Sequence, residues 1–158
     1  MITHQELIVV RYAGADLSES EGCFVTCTDG AVNLAAATTK PAEVYGLLDT
    51  SNTEGGRVSV CLPGFHGQPV ARLSASTEEV QDGDTLVLAD NGAVAKGTSG
   101  TAVAKALDNG SAGELIPVRL IEPCDAAAIT TVALSAATPV TVADASTAKK
   151  TTATTATK

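Results

Sequence analysis

The sequence predicts an all-β protein with a compact body, a β-barrel or a tulip-like β-sandwich, and an extension at each end. Three observations support this fold class. Short apolar runs alternate with turns rich in Gly, Asn and Asp, which is typical of strands joined by tight connections. The same order of runs and turns occurs twice along the chain, which indicates a repeated unit. The 158 residues suffice for one domain with a real core but not for two full-sized domains.

Residues 83–123 carry the clearest strand pattern. The apolar run Thr85–Leu88 is followed by Asp90-Asn91-Gly92, whose Asn-Gly step favours the positive φ angles of a tight hairpin turn. Two more apolar runs follow, Val103–Leu107 and Leu115–Ile121, again separated by turn residues. This order predicts a small antiparallel meander of three strands.

Residues 22–63 repeat the same order of parts. Four landmark pairs have similar separations: Gly22 and Gly83 by 61 residues, Gly30 and Gly92 by 62, Leu48 and Leu107 by 59, and Gly56 and Gly113 by 57. The small drift indicates loop changes within a duplicated β-meander unit. The alternative is that two unrelated meanders reuse the same turn residues. On the duplication hypothesis, residues 22–63 form copy one, 64–82 a linker with a possible strand at Val70–Leu73, and 83–123 copy two.

The two ends supply the candidate partner-contact residues. Residues 1–21 form a predicted N-terminal arm, in which consecutive β-branched residues favour a strand over a helix. Residues 124–158 form an Ala- and Thr-rich extension with two possible strands. Extended segments of this kind can add to the edge of a neighbouring sheet. The candidates are Leu7, Ile8, Val9, Val10, Ile129, Val132, Leu134, Val140 and Val142.

Composition and charge limit the classes of partner that the protein can bind. The formal net charge of −8 and the absence of a basic cluster argue against direct nucleic-acid binding. No apolar run approaches the length of a membrane span, and the N-terminus lacks the pattern of a secretory signal, so we expect synthesis in a cytoplasm. Aromatic residues make up 3% of the chain, and a core of small aliphatic side chains buries little area. Burial between subunits would compensate, and the sequence therefore predicts a homo-oligomer.

The sequence carries no convincing catalytic, cofactor or metal site, and we predict that the protein is not an enzyme. Cys61 and His66 are close in sequence, but a thiol nucleophile also needs an oriented base. The four cysteines, Cys23, Cys27, Cys61 and Cys124, lack the paired spacing of a metal site. We interpret them as buried free thiols that act as small apolar side chains, in preference to a metal cluster or disulfides.

Three short motifs carry a resemblance to a known family: Gly-Asp-Thr-Leu-Val at Gly83–Val87, Val-Ala-Lys-Ala-Leu at Val103–Leu107, and Ala-Gly-Glu-Leu-Ile-Pro-Val at Ala112–Val118. The chain resembles the small capsid decoration (cement) proteins of tailed bacteriophages across the two repeats. The resemblance implies a β-barrel or tulip-like body, frequently trimeric, on the outer capsid surface of the virion after synthesis in the host cytoplasm. The implied partner is the major capsid protein, and the implied role is stabilisation of the assembled head. No catalytic residues are implied.

A receptor- or carbohydrate-binding surface module, like a head fibre, is the alternative function. Such modules stack exposed aromatic side chains on sugars. The four aromatic residues, Phe24, Phe65, Tyr12 and Tyr45, are few and scattered, which favours the decoration protein.

Overall fold

The computed structural model of the protein describes residues 7–129, which form two five-stranded β-units in tandem. The first unit contains β1 (Ile8–Ala13), β2 (Phe24–Thr28), β3 (Ala31–Leu34), β4 (Val44–Leu48) and β5 (Arg57–Cys61). The second contains β6 (Val70–Arg72), β7 (Thr85–Leu88), β8 (Val94–Lys96), β9 (Thr101–Ala106) and β10 (Leu115–Asp125). The predicted all-β fold class is confirmed.

The first unit is a closed barrel with the strand order β1-β3-β2-β4-β5. Strand β1 closes it by pairing antiparallel with β5 and parallel with β3, where Ala13 lies opposite Val32. The prediction of a simple antiparallel meander is therefore wrong for this unit. A meander ends in two separate edge strands, whereas here β1 returns between β3 and β5 and closes the sheet at Tyr12 and Ala13.

The second unit repeats this arrangement as a curled sheet with the order β6-β10-β9-β7-β8. Its two end strands approach through a parallel bridge between Leu73 and Val94, the counterpart of the Ala13–Val32 pair. The connecting hydrogen bonds also correspond: Gly14 N–H donates to the Val32 carbonyl and Ser74 N–H to the Val94 carbonyl, each at 2.8 Å. The units stand side by side, and each encloses its own interior rather than sharing one barrel.

The strand registers of the two units agree down to a β-bulge. The bulge falls between Val25 and Thr26 in β2 and between Leu86 and Val87 in β7. The hydrogen bond from Gly22 N–H to the Leu48 carbonyl recurs from Gly83 N–H to the Ala106 carbonyl, each at 2.9 Å.

The structural correspondence of the two units differs by one residue from two of the landmark pairs predicted from the sequence. The recurrence of the Gly22–Leu48 bond shows that Leu48 corresponds to Ala106 rather than to Leu107. Gly55 corresponds to Gly113, because both have positive φ angles of 77° and 83°, so the pairing of Gly56 with Gly113 is also wrong.

The units are wider than the predicted copies, because each needs a fifth strand. Residues 8–13 lie in the barrel, so the predicted arm at 1–21 contains a strand of the body. The predicted linker at 64–82 contains β6, at the position where the sequence indicated a possible strand. At the other end, β10 continues to Asp125, two residues into the predicted extension at 124–158, and residues 126–129 form a helical turn.

A left-handed turn joins the second and third strand of each unit. Asp29 and Gly30 have φ angles of 51° and 82°, and Asn91 and Gly92 have 57° and 70°. Asp, Asn and Gly tolerate this conformation better than other residues, which explains the Asp-Gly and Asn-Gly steps in the sequence.

Each interior is lined by aliphatic side chains at corresponding positions. In the first unit they are Val25, Val32, Leu48, Val58 and Val60, all fully buried. In the second they are Leu86, Val94, Ala106, Ile116 and Val118. The composition predicts a core of small aliphatic side chains. The structure contains two such cores, one in each unit.

The junction between the units explains why the second sheet is not closed like the first. In the first unit, Tyr12 N–H donates to the Gly30 carbonyl at 3.4 Å and helps to join β1 to β3. The corresponding group, Arg72 N–H, instead donates to the Gly22 carbonyl of the first unit at 2.8 Å. One seam bond of the second unit is thus replaced by a bond between the units.

Candidate interaction surfaces

The N-terminal candidates divide between the two faces of β1. Ile8, Val10 and Tyr12 point outward and are 37%, 55% and 54% exposed, whereas Val9 packs against the interior of the first unit. Leu7 is half-buried, and its carbonyl accepts a hydrogen bond from Leu62 N–H at 2.8 Å. Strand β1 pairs with β5 from Ile8 to Tyr12 but with β3 only at Tyr12 and Ala13, so within the described part of the chain the other edge of residues 8–11 has no paired strand. Addition of this edge to another sheet therefore stays a prediction.

The C-terminal candidates lie mostly beyond the described part of the chain. Val132, Leu134, Val140 and Val142 fall outside residues 7–129. Ile129 is described and packs against a cluster formed by Val87, Ala102 and Ala126 on the outside of the second unit. It also lines an open groove of about 540 Å³.

The packing face of the first unit is a row of apolar side chains across three strands. Phe24 on β2 lies opposite Leu47 on β4, and Leu47 lies opposite Cys61 on β5. All three are buried in one hydrophobic cluster with residues of the second unit, among them Leu73 and Leu120. This row holds the two units together.

The corresponding row of the second unit is polar and half-buried to exposed. Thr85 on β7 lies opposite Lys105 on β9, and Lys105 lies opposite Arg119 on β10. Arg119 is exposed, and Lys105 Nζ donates to Thr85 Oγ1 at 3.0 Å. The same backbone position therefore serves as a packing face in one unit and as a charged surface in the other. We call Thr85, Lys105 and Arg119 the basic row.

An ion pair borders the basic row. Lys96 Nζ lies 2.9 Å from Asp84 Oδ2, which also accepts a hydrogen bond from Gln81 N–H at 2.8 Å. Partial burial raises the pKa of Asp84, but the Gln81 hydrogen bond and the charges of Lys96 and Lys105 outweigh it and hold the pKa below its usual value. Asp84 is therefore ionised at neutral pH, and one carboxylate faces two ammonium groups.

The cysteines show no sign of an activated thiol. Cys61 is buried, and burial, with a smaller contribution from the charge of Asp49, raises its pKa to about 11. Burial also raises the pKa of Cys23, against a lowering influence of the nearby Arg72. A thiol with a raised pKa is a poor nucleophile at neutral pH, so the geometry offers no support for catalysis by Cys61 and His66. Cys27 and Cys124 are half-buried.

No cluster of three or more His, Cys, Asp or Glu side chains is arranged to hold a metal ion between residues 7 and 129. In the same part of the chain, the structure has no helix with the length and hydrophobicity needed to cross a bilayer.

The sequence interpretation missed Tyr12, Lys105 and Arg119. The signal for the basic row was present in the repeat, because the correct separation of 58 residues aligns Leu47 with Lys105 and Cys61 with Arg119. The shift by one residue at Leu48 hid this change from apolar to basic side chains.

Comparison with known proteins identifies a fold but no family. No protein-family model matches the sequence, and no curated protein matches it. The structure is similar to the crystal structure of the N base of the head fibre protein gp8.5 of bacteriophage phi29. The two share a TM-score of 0.50 and 16% sequence identity, over 72% of this chain and 92% of that chain. At this identity the similarity shows a shared β-fold.

Proposed function

We propose that the protein is a structural component of a bacteriophage head, bound to the outside of the capsid. The observation that carries the proposal is the shared fold with a phage head fibre base, which extends over 92% of that chain. The short motifs that resemble capsid decoration proteins point to the same part of the virion.

The described surface supports a role in binding rather than in chemistry. Its exposed apolar side chains lie on strands, at Ile8, Val10 and Tyr12 of β1 and at Val70 and Leu115 of the second unit. The buried thiols of Cys23 and Cys61 have raised pKa values, and the groove beside Ile129 is open. Exposed apolar side chains on a rigid sheet suit contacts with another protein.

The finer role that we propose is that of a decoration, or cement, protein that bridges major capsid subunits. A protein that binds the assembled shell but not the dispersed subunits adds its binding free energy to the stability of the shell. We assign the attachment to the C-terminal extension, which leaves the body on the outside of the second unit next to Ile129. The formal net charge of −8 would keep decorated particles from adhering to one another.

Co-sedimentation with heads that lack the protein tests the attachment. We expect the full chain to pellet with expanded heads, and a chain that lacks residues 145–158 to bind more weakly. A chain that lacks residues 1–6 is the matched control, because this deletion leaves β1 intact. Failure of the full chain to bind heads of its own phage, expanded or not, would refute the proposal.

A head-fibre base is the second candidate function, and the phi29 head fibre base specifically favours it. In this case the body anchors a segment that contacts the host surface. Phage particles without the protein separate the two roles. Loss of heat resistance with normal adsorption supports a decoration protein, whereas loss of adsorption with normal heat resistance supports a fibre base.

A further inference from the structure

Between residues 7 and 129, no other β-unit packs on two surface features: the exposed end of β1 and β5 in the first unit, and the basic row of the second. They correspond to the two sides of the junction that joins the units. We propose that copies of the chain pack end to end, with the second unit of one copy seated on the first unit of the next. The contact repeats the packing of the junction inside each chain but not its main-chain bond from Arg72, because the corresponding Tyr12 N–H already donates to the Gly30 carbonyl. It does not depend on attachment to a phage head.

The junction within the chain defines the contact. The turn at Gly92 lies so close to Phe24 and Cys23 that a methyl group added to Gly92 would clash with them. Strands β6 and β10 lie over Gly22, where Arg72 N–H bonds to the Gly22 carbonyl and a methyl group added to that glycine would clash with the Leu115 side chain. One side of the junction is thus a turn and a strand pair of the second unit. The other side is the packing face of the first unit.

The first unit presents the same turn and strand pair to solvent. Asp29-Gly30 corresponds to Asn91-Gly92, and nothing lies within 4 Å of a methyl group added to Gly30. On the strands, Tyr12 corresponds to Arg72, Arg57 to Leu115, and Val10 to Val70. Tyr12 and Val10 are each more than half exposed, and Arg57 is also exposed. The exposed apolar residues of β1 therefore lie where a further unit fits.

The charges on the two surfaces are complementary. If the junction is repeated between copies, Arg57 of one copy faces Gly83 and Asp84 of the other, since Leu115 faces Gly22 within the chain. The Asp29 turn faces Asp84 and Thr85, next to Lys105 on the adjacent strand, since the Gly92 turn faces Cys23 and Phe24. Arg57 thus meets the carboxylate of Asp84, and Asp29 meets a region in which Lys96 and Lys105 outnumber that one carboxylate. Oppositely charged patches favour association and fix its register.

The basic row itself favours an acidic partner. Lys105 and Arg119 lie directly opposite each other on neighbouring strands, and like charges in this position destabilise a sheet. A carboxylate from Asp29 of a second copy relieves this repulsion. The charged character of the row also suits a contact between separately folded copies, because such interfaces are more polar than a domain core.

The contact joins different surfaces of the two copies, so each copy keeps one free surface of each kind. Such heterologous contacts continue into a closed ring or an open filament. Because the two surfaces differ, two variants that are each defective in a different surface should associate with each other. An interface between identical surfaces would not behave in this way.

Light scattering during size-exclusion chromatography of the full chain tests the association. We expect a mass of at least twice the monomer that falls on dilution and in high salt. Lys105→Glu, which repels Asp29, and Arg57→Glu, which repels Asp84, are each expected to give monomers. Lys40→Glu is the matched control: it makes the same charge change at an exposed site outside both surfaces, and it should leave the mass unchanged.

Mixing the two defective variants gives the decisive result. Lys105→Glu retains an intact first unit and Arg57→Glu an intact second unit, so an equal mixture should form dimers of one copy each and nothing larger. Circular dichroism confirms that each variant is folded. Monomeric wild type at every concentration, association unaffected by either substitution, or a mixture that stays monomeric would overturn the inference. Binding to phage heads is measured in a separate experiment. Failure of the proposed function and failure of self-association can therefore be distinguished.

Discussion

The two β-units of this protein share a strand order, a bulge and a left-handed turn, yet they differ where one packs on the other. Phe24, Leu47 and Cys61 form an apolar row in the first unit, and Thr85, Lys105 and Arg119 form a basic row at the same positions in the second. The interiors of both units remain aliphatic. The comparison teaches that the fold fixes the interior pattern, whereas the outer face follows the neighbour that each unit meets.

Exchange of residues between the two rows tests this conclusion most strongly. Leu47→Lys places an unpaired ammonium group in the buried junction, and we expect a loss of about 4 kcal/mol in the free energy of unfolding. The reverse change, Lys105→Leu, lies at the surface and should alter stability by about 0.5 kcal/mol or less. Urea denaturation of both variants gives the two values. Equal effects would show that the rows have equivalent surroundings.

The interior offers a second comparison, because Leu48 corresponds to the smaller Ala106. We expect Leu48→Ala to cost about 3 kcal/mol, since it removes a fully buried side chain and leaves a cavity. Ala106→Leu adds volume to a packed interior and should cost about 2 kcal/mol. Thermal unfolding followed by calorimetry measures both changes. If Ala106→Leu stabilises the protein, the second interior is less tightly packed than the first.

The turn glycines differ in their surroundings although their φ angles are similar. Gly30→Ala should cost about 1 kcal/mol, because alanine is strained at a φ angle of 82° and the space around it is open. Gly92→Ala adds a clash with the backbone of Phe24 at the junction and should cost about 2 kcal/mol. Chemical denaturation of the two variants gives the difference, which should disappear if the units separate in solution.

The smallest expected effect concerns the ion pair beside the basic row. Asp84→Asn removes a surface pair worth about 0.5 kcal/mol at neutral pH. Because the pKa of Asp84 is lowered in the folded protein, its stabilisation is present above the unfolded pKa of about 4 and is lost as the pH falls through the folded value. The stabilities of wild type and variant should therefore converge below about pH 4. A difference that persists at pH 2 would contradict this origin.

The sequence predicted local features better than it predicted closure. Strands such as Thr85–Leu88 and the Asn91-Gly92 turn follow from side-chain preferences over a few residues, and the structure contains both. The pairing of β1 with β3 and β5 involves residues far apart in sequence. A short apolar run such as Leu7–Val10 looks the same whether it lies in a barrel or projects as an arm.

The candidate surfaces were predictable in part. Exposed apolar residues on β1 follow from alternation along a strand, once the strand is known to have one face in a core. The basic row required an alignment of the two units that is correct to one residue. Only the registers of β4 with β5 and of β9 with β10 supplied it, because they match Leu48 with Ala106.

The bond between Arg72 N–H and the Gly22 carbonyl has a consequence for how such chains lengthen or shorten. Both atoms belong to the main chain, so no particular side chain is needed to form the bond. The donor unit must leave this N–H free of its own seam, as the second unit does, whereas Tyr12 N–H of the first unit donates to the Gly30 carbonyl. Insertion or deletion of a unit with such an open seam would preserve the connection. The character of the outer face, in contrast, differs between the two units at three corresponding positions, so a few substitutions suffice to change it.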